Sequence, residues 1–302
     1  MEWALSIPRG QALAWVEEPW GVKTTGPGLL VDVREVCEGQ FGSIKFTRMY
    51  FGQEFCEKAL PSQKELDQGL ALAEQLGMKF TLVTPYVTEP GLEAVKGLLQ
   101  QLMRVQPRAE VVANDWGVLQ TIAEDCPTLT PVLGRLLNKL LRDPRMLTHL
   151  KKPEGETMAR FCTCSLAGAP MQNLLDQYKV RRIELDLSPQ GLDNHLSDWG
   201  YRSSLYLPYG VIMTGRICLL HSWGLEEHQK FKPFSGACDR KCRFYWLEMS
   251  DLSHQVKKSK DWVILQKGNT IFYRQQKEFL KEGLDQALKV GITRLVIQRE
   301  PM

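Results

Sequence analysis

The chain has 302 residues with a formal net charge of +3, 43% hydrophobic and 24% charged residues. That balance provides enough apolar residues for a full core, argues against general disorder and gives no basis for nucleic-acid binding from net charge alone. No run of 18 apolar residues occurs, and the opening MEWALSIPRG lacks a basic stretch followed by an apolar one, so neither a membrane span nor a secretory leader is expected and a cytoplasmic location is.

In chain order, Trp3–Ile7 reads as a short first strand and Ser43–Tyr50 as a clearer one, with β-branched and aromatic residues at alternating positions. YFGQEFC then forms a loop carrying Cys56. Ser62 and Glu65 make a capping-box pattern, and Leu66, Leu70, Ala73 and Leu76 continue it as a helix that Gly77 ends. Met78–Thr84 reads as a buried strand, followed by a helix opened by Thr88 and Pro90. Glu110–Ala113 predicts a strand, Val118–Glu124 a helix, and Val132–Leu133 the start of another strand. Farther along, Met171–Tyr178 predicts a helix, Arg181–Leu187 a strand, Leu192–Trp199 a helix and Ser204–Leu207 a strand. Trp262–Gln266 and Thr270–Tyr273 form a hairpin pattern, Gln275–Lys289 a helix and Arg294–Gln298 a last strand.

Strands alternating with helices predict an α/β fold with a parallel sheet. Seven or eight units fit an irregular or incomplete TIM-like (β/α) barrel, with an open doubly wound sheet as the alternative. The reading is a single barrel-like domain over residues 1–302 with two interruptions, a basic insertion at 134–160 and a cysteine-bearing loop region at 215–250. Within 134–153, Arg135, Lys139, Arg142, Arg145, Lys151 and Lys152 face Asp143 alone, a net charge of +5. A solvated basic face is the ordinary reading; an anionic small molecule, RNA or a partner is the functional one.

Eight cysteines are too few for a disulfide scaffold, so clustered thiols point to metal or redox chemistry. Cys238 and Cys242 form a Cys-x3-Cys pair, Cys218 lies upstream, and Cys56 follows a strand. Residues just after the strands of a barrel gather at one end, where these four could meet. Four thiolates from separate loops suit an iron–sulfur cluster or a zinc ion; unligated thiols remain the third possibility. Tyr245 stands where a radical-SAM motif would need a third cysteine. Cys162 and Cys164 form a possible second redox pair, while Cys37 and Cys126 have no matched role.

Four other residues are candidates for the chemistry. Arg216 and Arg243, each within two residues of a cysteine of the set, could donate to cluster sulfur or bind an anion. Asp115, after the strand, lines a site or caps the next helix, and Glu184, in IELDLS, handles protons at a barrel mouth or is a paired structural carboxylate. His221 and His228 lack the spacing of a zinc protease, and no Gly-x-Ser-x-Gly motif marks a nucleophile.

The segment YGVIMTGRICLL followed by GACDRKCRFYW resembles the signature of the collagenase-like peptidase family U32, and VVANDWGVL is similar to an earlier strand-turn of that family. The look is closest to the UbiV-type iron–sulfur members. The resemblance implies a 4Fe–4S cluster on Cys56, Cys218, Cys238 and Cys242, and oxygen-independent hydroxylation, alone or as the cluster-bearing subunit beside a sister U32-family protein in a heterodimer. Other members imply a non-catalytic redox or assembly partner, an RNA-base hydroxylase with prephenate as oxygen donor, or a peptidase. Tyr209 replaces the family's usual His, the Cys218–Cys238 interval is wider, and the 134–160 insertion departs from the UbiV pattern.

Overall fold

In the computed structural model, residues 1–21, 30–149, 155–232, 236–249 and 262–301 are described. The chain begins with strand β1 (Glu2–Ile7), then helix α1 (Val31–Phe41) and β2 (Arg48–Gly52). Three further strand–helix alternations follow: α2 (Gln63–Gln75) and β3 (Lys79–Thr84), α3 (Glu89–Val105) and β4 (Glu110–Ala113), α4 (Trp116–Asp125) and β5 (Thr130–Leu133). A longer excursion holds α5 (Pro144–His149), α6 (Gly155–Cys162) and α7 (Ala169–Gln177) before β6 (Arg182–Asp186) and β7 (Arg202–Leu207). The chain then leaves the barrel for β8 (Tyr209–Thr214), α8 (Leu219–Ser222), β9 (Leu247–Glu248), β10 (Trp262–Lys267) and β11 (Thr270–Gln275), and returns through α9 (Lys277–Lys289) to β12 (Arg294–Gln298).

Eight strands close a barrel in the order β1-β12-β7-β6-β5-β4-β3-β2, and every pairing is parallel. This is the TIM-like α/β architecture expected. No helix among the described residues is long and apolar enough to cross a membrane. The local signals that start the helices are physical ones. Ser62 and Glu65 exchange both capping-box hydrogen bonds at the start of α2, and the left-handed Gly77 (φ +63°) follows its end.

Several boundaries differ from expectation. The second strand starts at Arg48, because residues 43–47 approach the barrel as irregular chain and join it through the Thr47 N–H donating to the Trp3 carbonyl. Val132 and Leu133 end a strand that starts at Thr130. The helix expected over 192–199 is one 3-10 turn, Leu196–Trp199. Tyr209–Thr214, read only as part of a cysteine motif, forms β8.

Side chains alternate across each barrel strand. The outward set, including Trp3, Leu5, Met49, Phe51, Leu82, Leu205 and Ile297, joins the large core beneath the helices. Inside the barrel, Ala4, Tyr50, Val83, Val112, Val132, Tyr206 and Val296 form a middle layer. Its floor is charged: Arg294 reaches Glu2 and Glu110, and Arg48 reaches the same two carboxylates. Burial would lift the Glu110 carboxyl, but Arg294, Arg48 and Arg182 outweigh it and hold it down at about 2.

The excursion after β7 builds an antiparallel sheet in the order β8-β11-β10-β9, which lies over the end of the barrel where strands finish. Its own apolar core is Phe55, Tyr209, Val211, Leu265 and Phe272, with Phe55 and Phe272 in edge-to-face contact at 5.3 Å. A sealed ionic knot pins this lid to the barrel. Arg135, past the end of β5, pairs with Glu54 past β2 and with Asp186 at the end of β6, and donates to the Tyr209 carbonyl at 3.0 Å. Arg142 joins through Asp186 at 3.0 Å, and the Val211 N–H donates to the same carboxylate. The Arg135 guanidinium also stacks 3.8 Å above the Tyr206 ring.

Candidate functional site

A pocket of about 170 Å³ lies between the lid and the ends of β1, β2 and β12, and Cys56, Cys218, Cys238 and Cys242 all line it. Each arrives on a differently built piece of backbone. Cys56 precedes the 3-10 turn Glu57–Ala59 that follows β2. Cys218 is the N-cap of α8, and its Sγ accepts from the His221 N–H at 3.3 Å. Cys238 and Cys242 flank Arg240, whose left-handed φ of +53° folds the short loop so that the Arg240 N–H reaches the Cys238 Sγ at 3.4 Å.

The β10–β11 hairpin tip closes the pocket from the lid side. Gly268 sits there at φ +60°, and a Cβ built on it lies 3.4 Å from Cys242 Cβ. Beside it, the Asn269 amide donates to the carbonyls of Phe55 at 2.6 Å and Gly215 at 2.7 Å, and to the Tyr86 hydroxyl at 3.1 Å. One side chain therefore ties the segment before Cys56 to the segment before Cys218. Tyr86, past the end of β3, completes the tie by donating to the Gly215 carbonyl at 2.5 Å. Asn269 and Tyr86 were not singled out in the sequence; the Gly-Asn of the hairpin was legible only as a turn.

Burial pushes the Cys56 thiol up to about 11; the Lys58 backbone N–H opposes this, and the other three thiols add to it. Cys218 and Cys242 are also raised, burial being the largest cause. At neutral pH Cys56, Cys218 and Cys242 are therefore protonated, and a cation bound to them would displace those protons as it binds. This donor set is soft, partly shielded from water, and supplied with backbone N–H groups directed at sulfur, which fits a thiophilic metal centre. A single tetrahedral ion with metal–sulfur bonds of about 2.3 Å would hold its sulfurs roughly 3.8 Å apart. Among the described residues, the three-ligand group compact enough for one ion is His221, Cys238 and Asp239, not any three of the four thiols.

The pocket wall is also cationic. Arg216 and Arg243 line it, together with Arg9, Arg240 and Lys267. Arg216 is oriented by donating to the Val87 carbonyl at 3.2 Å and by the Tyr86 ring. Arg243 donates to Gln11; burial and then the neighbouring Arg240 and Arg9 hold it below the usual guanidinium range. Glu300 pairs with both Arg9 and Lys267 and is the carboxylate that offsets them.

Two expected site residues lie elsewhere. Asp115 caps α4, its carboxylate accepting from Gly117 N–H at 2.7 Å and from Val87 N–H at 3.1 Å, so it acts as the helix cap rather than as a pocket group. Glu184 is fully buried inside the barrel, where its Oε1 accepts from the Tyr50 hydroxyl at 2.9 Å, rather than at the mouth. The basic insertion also changes meaning. Arg135 and Arg142 are interior and held by carboxylates, Arg145 pairs with Asp143, and Lys151 and Lys152 lie outside the described residues. An RNA or anion surface built on that run loses two of its six cations. Cys162 and Cys164 do not join the pocket: Cys162 donates to the Gln190 carbonyl and Cys164 is buried nearby. Cys37 and Cys126 belong to the core under the helices. No family model, curated protein or solved structure matches the chain.

Proposed function

We propose that the chain is an iron–sulfur protein in which Cys56, Cys218, Cys238 and Cys242 hold a 4Fe–4S cluster, and that it serves as an oxygen-independent hydroxylase or as the cluster-bearing subunit of one, as its resemblance to the U32 family implies. The observation that carries this reading is the convergence of four cysteines, far apart in sequence, on one pocket while the other four stay outside it. When bound, such a cluster supplies one-electron chemistry at a potential set by hydrogen bonds to sulfur and by local charge. The chain contributes both: the His221 and Arg240 N–H groups reach Cys218 and Cys238, and Arg243 and Lys267 stand beside Cys242. Arg216 and Arg243 would orient an anionic substrate against this centre, and the hairpin tip at Gly268 and Asn269 limits the water that reaches it.

A second reading, a non-catalytic partner that docks on a sister U32-family protein, draws on the lid surface. Of the 15 large hydrophobic side chains exposed among the described residues, eight lie within 213–249, among them Trp223, Phe231, Phe244 and Tyr245. An exposed apolar concentration of that kind suits a protein interface.

The test is purification without oxygen, an absorption spectrum, and a count of iron, sulfide and zinc per chain. A broad band near about 400 nm with about four irons and four sulfides supports the cluster, as does its loss in Cys218→Ala. Full iron in Cys218→Ala, or protein with no iron after anaerobic reconstitution, overturns it. Turnover by the isolated chain separates the hydroxylase from the docking partner.

A further inference from the structure

His221, Cys238 and Asp239 bring one nitrogen, one sulfur and one carboxylate oxygen within 4.8 Å of one another. Nitrogen, thiolate and carboxylate at the corners of a tetrahedron are zinc ligands, and zinc bonds of about 2.0–2.3 Å would place them roughly 3.3–3.6 Å apart. Side-chain rotation covers the remaining ångström or so. We propose that these three residues form a site for a single zinc-class divalent cation, with water in the fourth position, and that this site competes with four-cysteine ligation because both require Cys238.

The groups are prepared for it in different ways. Asp239 supplies the oxygen from the position directly after Cys238 on the thiol loop. Its side chain is 47% exposed, so a cation can reach the site from solvent without opening the pocket. Lys241, 3.2 Å from the Asp239 carboxylate, must give up that pairing. His221 is the third residue of the short helix α8 that Cys218 caps, which fixes its backbone next to the thiol loop. Cys56, which follows β2, takes no part. The two modes therefore share one thiol and differ in everything else, so a chain that meets zinc first is closed to a cluster until the zinc is removed.

The cation site needs only the trio, whereas its competition with four-cysteine ligation rests on the cluster reading. Reduced, metal-free full-length protein is titrated with cobalt(II) and with zinc, in the wild type and in His221→Ala, Asp239→Asn and Cys56→Ser. Expected are one cation per chain, a thiolate-to-cobalt band of one-thiolate intensity, and zinc affinity weakened at least ~10-fold in His221→Ala and Asp239→Asn but unchanged in Cys56→Ser. Prior zinc loading should block iron uptake during reconstitution in the wild type, whereas His221→Ala should take up iron in the presence of the same zinc. A cobalt band of three- or four-thiolate intensity, or a Cys56→Ser loss equal to that of His221→Ala, overturns the trio. If zinc follows the trio while iron never binds, the cluster reading fails and this one stands.

Discussion

Replacing Glu184 by Gln removes a carboxylic acid from the middle of the barrel without changing its shape. In the native protein the side chain is fully buried, Tyr50 donates to its Oε1, and Arg294 and Arg182 lie near. Burial is the largest influence, and it lifts the carboxyl from 4.5 to about 7 despite those arginines. An acid with a higher pKa folded than unfolded holds its proton more tightly in the folded chain. Its stabilising contribution is therefore complete below pH 4.5 and is lost as pH rises through about 7, because ionising inside the barrel costs more than ionising in water. At about 1.4 kcal/mol per pH unit, that interval amounts to about 3 kcal/mol. Gln keeps the acceptor for Tyr50 and never ionises. Urea unfolding followed by tryptophan fluorescence should find Glu184→Gln more stable than the native protein by about 1 kcal/mol or less at pH 5 and by about 3 kcal/mol at pH 8. Comparing the two proteins cancels the remaining carboxylates, such as Glu110, Glu2 and Glu300, which are held low and lose stabilisation only in acid. Parallel pH profiles for the two proteins would refute the argument that burial controls this group.

Arg135→Met leaves Glu54 without its guanidinium partner beside Asp186, with Arg142 alone to offset the two carboxylates, and should cost about 3–5 kcal/mol in denaturant unfolding; a loss under about 1 kcal/mol would mean that the knot is not an ionic one. Asn269→Ala removes four side-chain hydrogen bonds at the hairpin tip, and about 1–3 kcal/mol of stability should go with it, together with faster thiol labelling of Cys56 and Cys218 timed by mass spectrometry. Unchanged labelling would separate Asn269 from the pocket. Ser62→Ala deletes the capping box of α2 and should cost about 1 kcal/mol in the same unfolding assay, with no effect on metal content.

Features governed by neighbours in sequence were legible in the sequence. The Ser62/Glu65 cap, the β4 and β12 strands and the β10–β11 hairpin depend on residues within a few positions of one another. The polar inner positions of the barrel strands were less transparent. Arg182, Glu184 and Asp186 alternate with Ile183 and Leu185, a pattern that also suits a strand with one face in water; here that face is turned into the barrel. The basic run misled for a similar reason. Arg135 and Arg142 look solvated from their neighbours, and the carboxylates that bury them, Glu54 and Asp186, are 81 and 44–51 residues distant. The convergence of the four cysteines followed from one general property of barrels, that strand ends gather. The means of holding them together, Asn269 and Tyr86, depended on contacts across 54 to 214 residues that no local pattern encodes.

The lid is an interlude between β7 and β12, strands that pair with each other, whereas Cys56 leaves the barrel after β2. Any group gripped by Cys56 and Cys218 together thus closes a covalent ring of about 160 residues that runs through most of the barrel. By the entropy of such cross-links, a ring of that size is worth about 5 kcal/mol against the unfolded chain. It also sets an order of assembly. A ribosome must deliver residue 242 before the fourth thiol exists, and the hairpin at Gly268 must fold back before the pocket has its last wall. Insertion of such a group would therefore be a closing event in the maturation of the chain, fastening a fold that is already complete.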